Sequence, residues 1–215
     1  MATRTPYRSI SLEPSGNPPP RAIRHPVAVI ANFLPDEERQ ALLTEVLASE
    51  AQFQPSGTHD ARADYRQSLV LNPPADLVRP IVERVRRLMP QVLPVLRVSP
   101  IVVGAVEAQI TASVDGSFFG VHTDAGRDVP KRHLTYVYYF NRAPKGFTGG
   151  ELRVYDDVVR NGKLARAESF QTIDPANNRI VLFWAKTMHE VMPVRVPSRA
   201  FADARFTVNG WINAA

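Results

Sequence analysis

The sequence predicts a mainly β fold, one antiparallel barrel or sandwich backed by helices. Apolar residues at helical spacing are confined to the first hundred positions. From about Val102 short alternating segments take over, punctuated by Gly, Pro, Asn and Asp. Helices first and many short strands after is the order of a sheet covered on one face by helices.

The elements follow in order. Residues 1–25, with Arg4, Arg8, Arg21, Arg24 and the run Pro18-Pro19-Pro20, read as an extended or poorly ordered lead-in. Residues 26–215 read as a single domain, with helical support over 34–97 and a barrel core over 100–213. Val27 to Phe33 is a short strand. Pro35 followed by Asp36, Glu37 and Glu38 starts a helix, because acids favour the positive end of the helix dipole. Leu42, Leu43, Val46 and Leu47 give that helix one apolar face. A polar connection over 53–72, a loop or a lid, leads to a second helix from Ala75 to Met89 with the stripe Leu77, Ile81, Val85 and Leu88. Strands are expected at Val102–Val114, Phe118–Thr123, His133–Asn141, Gly150–Tyr155, Glu168–Ile173, Arg179–Phe183, Glu190–Val196 and Arg205–Ile212.

Composition narrows the function. The 215 residues are 44% hydrophobic and 22% charged, which excludes wholesale disorder. No apolar run reaches the ~18 residues of a membrane helix. No charged, apolar leader follows Met1, so a cytoplasmic protein is expected. Cysteine is absent, so any metal site must draw on His, Asp and Glu, and only 5 His are present. Of the 26 basic residues 22 are Arg, for a net charge of +5. These arginines are scattered and read as a solvated surface, which disfavours nucleic acid as a partner.

His122-Thr123-Asp124 closes a strand, and alternation points His122 and Asp124 the same way. One imidazole and one carboxylate on one face can supply two ligands to a metal. His189 is the candidate for a third. Two His and one carboxylate form the facial set of non-haem Fe(II) oxygenases. Downstream, Arg205, Thr207 and Asn209 share a strand face. A buried Arg there calls for an anion, and the natural one beside such an iron is a dicarboxylate. Thr135 and Tyr139 share a face of the strand before, where a tyrosine hydroxyl can reach the same carboxylate. His133, Tyr136, Tyr138, Trp184 and Trp211 read as core or packing residues.

In this order the segments resemble the Fe(II)/2-oxoglutarate dioxygenases, in particular their prolyl 4-hydroxylase-like branch. The resemblance rests on residues 116–124, 132–141, Gly149-Gly150-Glu151-Leu152-Arg153-Val154-Tyr155, Ile180-Val181-Leu182-Phe183 before His189-Glu190-Val191, and residues 205–211. It implies a double-stranded β-helix (jelly-roll, cupin-like) barrel. It implies iron on His122, Asp124 and His189, and 2-oxoglutarate with its far carboxylate on Arg205 and Tyr139. Asn209, Thr135 and Leu152 are implied beside the cosubstrate. O2 completes the reaction, with ascorbate as an optional addition. The expected chemistry is hydroxylation of an unactivated C–H bond. Related halogenases carry Gly or Ala where Asp124 stands.

Substrate contacts are expected from His59, Tyr65, Arg66 and Arg132. The first substrate choice is a prolyl or other amino-acid residue in a peptide or protein; a free amino acid or small natural product is the alternative. A barrel that only binds a partner is the reading from another class. Nucleic-acid demethylases carry Arg-x-Asn-x-Thr-x-Arg, and the stretch from Arg199 to Arg205 has Phe201 and Asp203 at the inner positions. Two departures stand out: Ser113 where relatives often place Tyr, and a long gap between His189 and Arg205. The competing reading of Arg205 is a salt bridge to Asp203 or Glu107, with Lys131 or Arg132 anchoring the cosubstrate.

Overall fold

The computed structural model describes residues 22–56, 65–126, 129 and 131–215. In chain order the first elements are β1 (Ala28–Ala31), α1 (Asp36–Ala48), β2 (Gln54–Pro55), β3 (Arg66–Gln67), β4 (Leu69–Leu71), α2 (Ala75–Val95), β5 (Val103–Val106), β6 (Gln109–Ser113) and β7 (Phe118–His122). Then come β8 (Arg132–Phe140), β9 (Thr148–Gly149), β10 (Leu152–Arg160), β11 (Lys163–Ile173), β12 (Arg179–Trp184), β13 (His189–Val191), β14 (Val194–Arg195) and β15 (Arg205–Ala214). The larger sheet has the order β1-β12-β8-β15-β6-β4-β2, with β5 also on β15. The smaller has the order β11-β10-β13-β7-β3.

Alternation on β8 explains the layering. Leu134, Tyr136, Tyr138 and Phe140 pack with Val46 of α1 and with Ile81 and Val85 of α2. The intervening Val137 and Tyr139 turn the other way, onto Leu152, Val154 and Ile173 of the smaller sheet. The larger sheet is therefore buried on both faces, with helices on one side and the smaller sheet on the other.

Several boundaries differ from expectation. Helix α2 runs past Met89, through Pro90 and Pro94, to Val95. Each proline removes a helical hydrogen bond, but Met89, Val92 and Leu93 are buried and the apolar contact outweighs the loss. The buried stripe is Val78, Ile81, Val85 and Met89, which leaves Leu77 and Leu88 only partly covered. The expected single strand Val102–Val114 is two, broken between Val106 and Gln109. The strand expected from Glu168 begins at Lys163, in a long hairpin with β10. Asn161 (φ +52°) and Gly162 (φ +72°) turn it, the Asn-Gly pair favoured in tight hairpins.

The connection over 53–72 is not a plain loop. Strands β2 and β4 add to the larger sheet through β6, while β3 pairs with β7 in the smaller. His59 lies outside the described residues, as does most of the lead-in. Ile23 and Asp157 exchange backbone hydrogen bonds of 2.7 and 3.0 Å, so the last lead-in residues are held against β10. Between His189 and Arg205 the chain is used structurally: β14 pairs with β9, and Phe201 packs on Phe53 and Phe206. Among the described residues no helix is long and apolar enough to cross a membrane.

Asn178 joins the β1–α1 corner to the larger sheet. Its side chain accepts from Leu34 N (2.9 Å) and the Tyr138 hydroxyl (3.0 Å), and donates to Leu34 O (2.8 Å). Its φ is +58°, a conformation Asn tolerates better than Ala. Asn178→Ala strands the buried groups of Leu34 and Tyr138 and is expected to lower the unfolding free energy by about 3 kcal/mol or more. Urea denaturation monitored by circular dichroism measures it.

Candidate metal centre

His122 ends β7 and His189 opens β13, and the two are register partners. The Asp124 backbone N–H donates to Ala185 O (2.9 Å), which folds the carboxylate back toward both rings. His189 Nε2 lies 3.3 Å from Asp124 Oδ2, and His122 Nε2 lies 3.7 Å from Oδ1. One ligand atom from each of the three residues falls within 4.8 Å of the others. The Nδ1 atoms face backbone carbonyls, His122 toward Gly120 O (2.8 Å) and His189 toward Thr187 O (2.9 Å). A carbonyl only accepts, so Nδ1 carries the proton and Nε2 turns its lone pair inward. Thr135 donates to Asp124 Oδ2 at 2.7 Å and fixes the carboxylate plane.

The electrostatics agree. Burial, aided by His189, pulls His122 down to about 3, so its imidazole is neutral near pH 7. Burial alone would raise Asp124, but His189, His122 and the Thr135 hydroxyl hold it well below the usual carboxylate range. Burial alone would lower His189, but the Asp124 carboxylate holds it up. A dication entering the triangle would compete with protons for the Nε2 lone pair of His189.

Arg205 is the second unusual charge. It is 3% exposed, and no carboxylate among the described residues lies within 4.0 Å of its guanidinium. Asp203 pairs with Arg142 at 2.5 Å and Glu107 with Arg132 at 2.6 Å, so neither proposed salt bridge forms. Nη1 has only the Ser113 hydroxyl, at 3.5 Å, and the guanidinium lies 4.9 Å from the Tyr139 ring centroid. Arg205 Nε, the Tyr139 hydroxyl and Thr207 Oγ1 are buried without hydrogen-bond partners. A buried cation with unpaired donors around it is expensive unless a ligand anion completes it.

Residues 108–213 match the family model of the 2OG-Fe(II) oxygenase superfamily. An uncharacterized PKHD-type hydroxylase of Synechocystis sp. is 45% identical over 187 residues, 85% of this chain and 61% of that relative. This chain therefore spans about three fifths of the relative's length. Residues 108–213 thus carry the sequence pattern of the 2OG-Fe(II) oxygenase superfamily. The fold is also that of prolyl hydroxylases. A Pseudomonas putida prolyl-4-hydroxylase superposes with TM-score 0.64 at 22% identity, covering 89% of this chain and 94% of that one. A Trichoplax adhaerens prolyl hydroxylase, solved with a hypoxia inducible factor peptide fragment, gives 0.63 at 18% identity over 88% and 84%.

The superfamily uses Fe(II), 2-oxoglutarate and O2, and the residues present suit the first two. Two imidazoles and a carboxylate are a donor set for Fe(II), and the unpaired Arg205 suits the far end of a dicarboxylate. Leu152 is buried in the same apolar cluster as Tyr139. The Asn209 amide donates to Thr111 Oγ1 at 2.7 Å within the sheet. Thr207, cross-strand from Tyr139 and 1% exposed, has the free hydroxyl. Its spacing of two from Arg205 was the available signal.

Of the residues expected to contact substrate, Tyr65 and Arg66 both contact Phe119 beside His122. Arg132 binds Glu107 and lies 3.6 Å from the centroid of Trp211, so its guanidinium is largely committed. Trp211, expected as core, is half-buried and cross-strand from Thr135, one side chain away from Asp124. Trp184 donates to Leu96 O (3.0 Å) and stacks with His133, so neither is a ligand. Arg199 is exposed and 4.0 Å from Asp115.

Gly150 packs against Arg205, and Gly149 against the Pro193 carbonyl. Both have positive φ (+72° and +73°), and a Cβ on Gly150 would lie 2.5 Å from Arg205 Cδ. Gly150→Ala is expected to push Arg205 aside and weaken 2-oxoglutarate binding at least tenfold, measured by titration calorimetry. Gly162→Ala has the same φ problem (+72°) with no atom within 4 Å of the new Cβ, and should lose stability but not affinity.

Proposed function

We propose that this chain is an Fe(II)- and 2-oxoglutarate-dependent hydroxylase acting on an unactivated C–H bond, with a prolyl or other amino-acid residue of a peptide or protein as its substrate. The observation that carries the reading is the His122–Asp124–His189 triangle beside a buried Arg205 that lacks an acidic partner. In this reading the two facing sheets are a double-stranded β-helix. His122, Asp124 and His189 hold the iron, and Thr135 keeps the Asp124 carboxylate in plane. Arg205, Tyr139 and Thr207 hold the cosubstrate's far carboxylate, against Leu152. When bound, iron, 2-oxoglutarate and O2 together supply the oxidant and leave succinate and CO2. The apolar walls Val137, Phe183 and Val154 exclude water from that space. Trp211, with Arg132 and Glu107 against it, walls the substrate side with Arg66. The peptide substrate is supported by the named relatives: one a prolyl-4-hydroxylase, the other solved with a peptide fragment.

Fe(II)-dependent succinate release, with a +16 shift on a peptide from a proline-containing panel, is the expected result. A barrel that only binds would release none. Asp124→Ala and His189→Ala should each abolish tight iron binding in an anaerobic titration and leave the circular dichroism spectrum unchanged. Stoichiometric iron in both would refute the ligand set. Because Asp124 raises His189, protons compete for its Nε2 as pH falls, so iron affinity should drop toward acid pH. Arg205→Lys keeps the charge but loses the fork, and should weaken 2-oxoglutarate by about 1.5–3 kcal/mol with iron binding unchanged.

A further inference from the structure

The His122 side chain is held by more than its Nδ1 hydrogen bond. The Phe119 ring lies almost parallel to it, with centroids 3.5 Å apart and planes at 15°. Tyr65 meets Phe119 edge-on at 5.6 Å and 90°, and the Arg66 guanidinium lies 4.7 Å from the Phe119 centroid. Both residues come from the β3 segment at the edge of the smaller sheet. That segment is fixed to β7 by Gly120 N–H donating to Tyr65 O (2.7 Å) and by the Tyr65 hydroxyl donating to Val121 O (2.8 Å). Gly120 permits this approach, since a Cβ there would stand 3.1 Å from the Tyr65 ring.

We infer that Phe119 is a positioning residue for the metal site: its ring, clamped by Tyr65 and Arg66, sets the plane of His122 and so the direction of its Nε2 lone pair. The inference rests on the proposed metal-binding function. An imidazole pinned only through Nδ1 can still swing about that hydrogen bond. A parallel aromatic face removes this freedom, because tilting the ring would open a gap on one side and clash on the other. His189 has different support: Phe183 meets it edge-on at 4.8 Å, and it is fully enclosed. His122 is the more open of the two ligands and needs the brace.

Cobalt(II) serves as the test metal, because its visible absorption reports ligand geometry without turnover. In Phe119→Leu the Co(II) dissociation constant should rise about tenfold or more, the range typical for loss of a residue that orients a ligand, and the visible bands should shift. Phe119→Tyr, which restores the flat ring, should return both to wild-type values. If Phe119→Leu fails to fold, Phe119→Met fills the space without a ring and is read the same way. A purely structural Phe119 would give a lower melting temperature with Co(II) affinity and spectrum unchanged, and that overturns the inference. A wild-type protein that takes up no Co(II), or one in which His122→Ala takes it up as well as wild type, overturns the metal reading and this inference with it.

Discussion

Strict alternation along β8 and β15 is the constraint on which the rest depends. Leu134, Tyr136, Tyr138 and Phe140 on β8, with Phe206, Val208 and Ile212 on β15, form the face that packs on the helices. The residues between them, Thr135, Tyr139, Arg205 and Thr207, are then forced onto the opposite face. Burying so many polar groups in one layer is destabilising in isolation. Here the apolar contact of the other face offsets it, because both faces belong to the same backbone. A one-residue slip of β15 would send Arg205 into the helices, so the helical layer protects the register of the site.

The enclosed space carries charges of both signs, separated along the sheets. At one end Asp124 is surrounded by imidazoles and a hydroxyl; at the other Arg205 has only a hydroxyl and an aromatic face. Neither end is self-sufficient. The protein supplies a donor set short of a cation and a cation short of an anion, so under the proposed function a metal and a dicarboxylate would stabilise it at both ends. Stability and occupancy should therefore be linked, as for any ligand that binds only the folded state.

The site was legible where chemistry follows from strand parity. His189 in a late strand and Arg205 on an alternating strand lie where the pattern puts them, whereas Asp124 lies beyond the end of β7 and is turned toward His122 by its contact with Ala185. What stayed hidden depended on three dimensions. Asn209 and Thr207 share a face, and the Asn209 contact with Thr111 cannot be read from parity. Trp211 read as core because large aromatics usually are, yet its cross-strand partner Thr135 places it near Asp124. The run of strands was legible, whereas the end of helix α2 was not: Pro90 and Pro94 look like stops until the burial of Val92 and Leu93 is known. The β3 and β4 pairings escaped because two- and three-residue strands carry no periodicity to read.

Those short strands have a consequence for how such a protein can diversify. The chain passes from β3 in one sheet to β4 in the other across Ser68 alone, and β2 is tied to β4 as well. The intervening stretch 57–64 thus leaves and returns at clamped ends. Lengthening such a connection costs only a slowly growing closure entropy and transmits no shift to the strands that carry His122. Insertions and rewritten sequence between residues 56 and 65 are therefore cheap experiments for evolution, because the flanking strands are held by their own pairings.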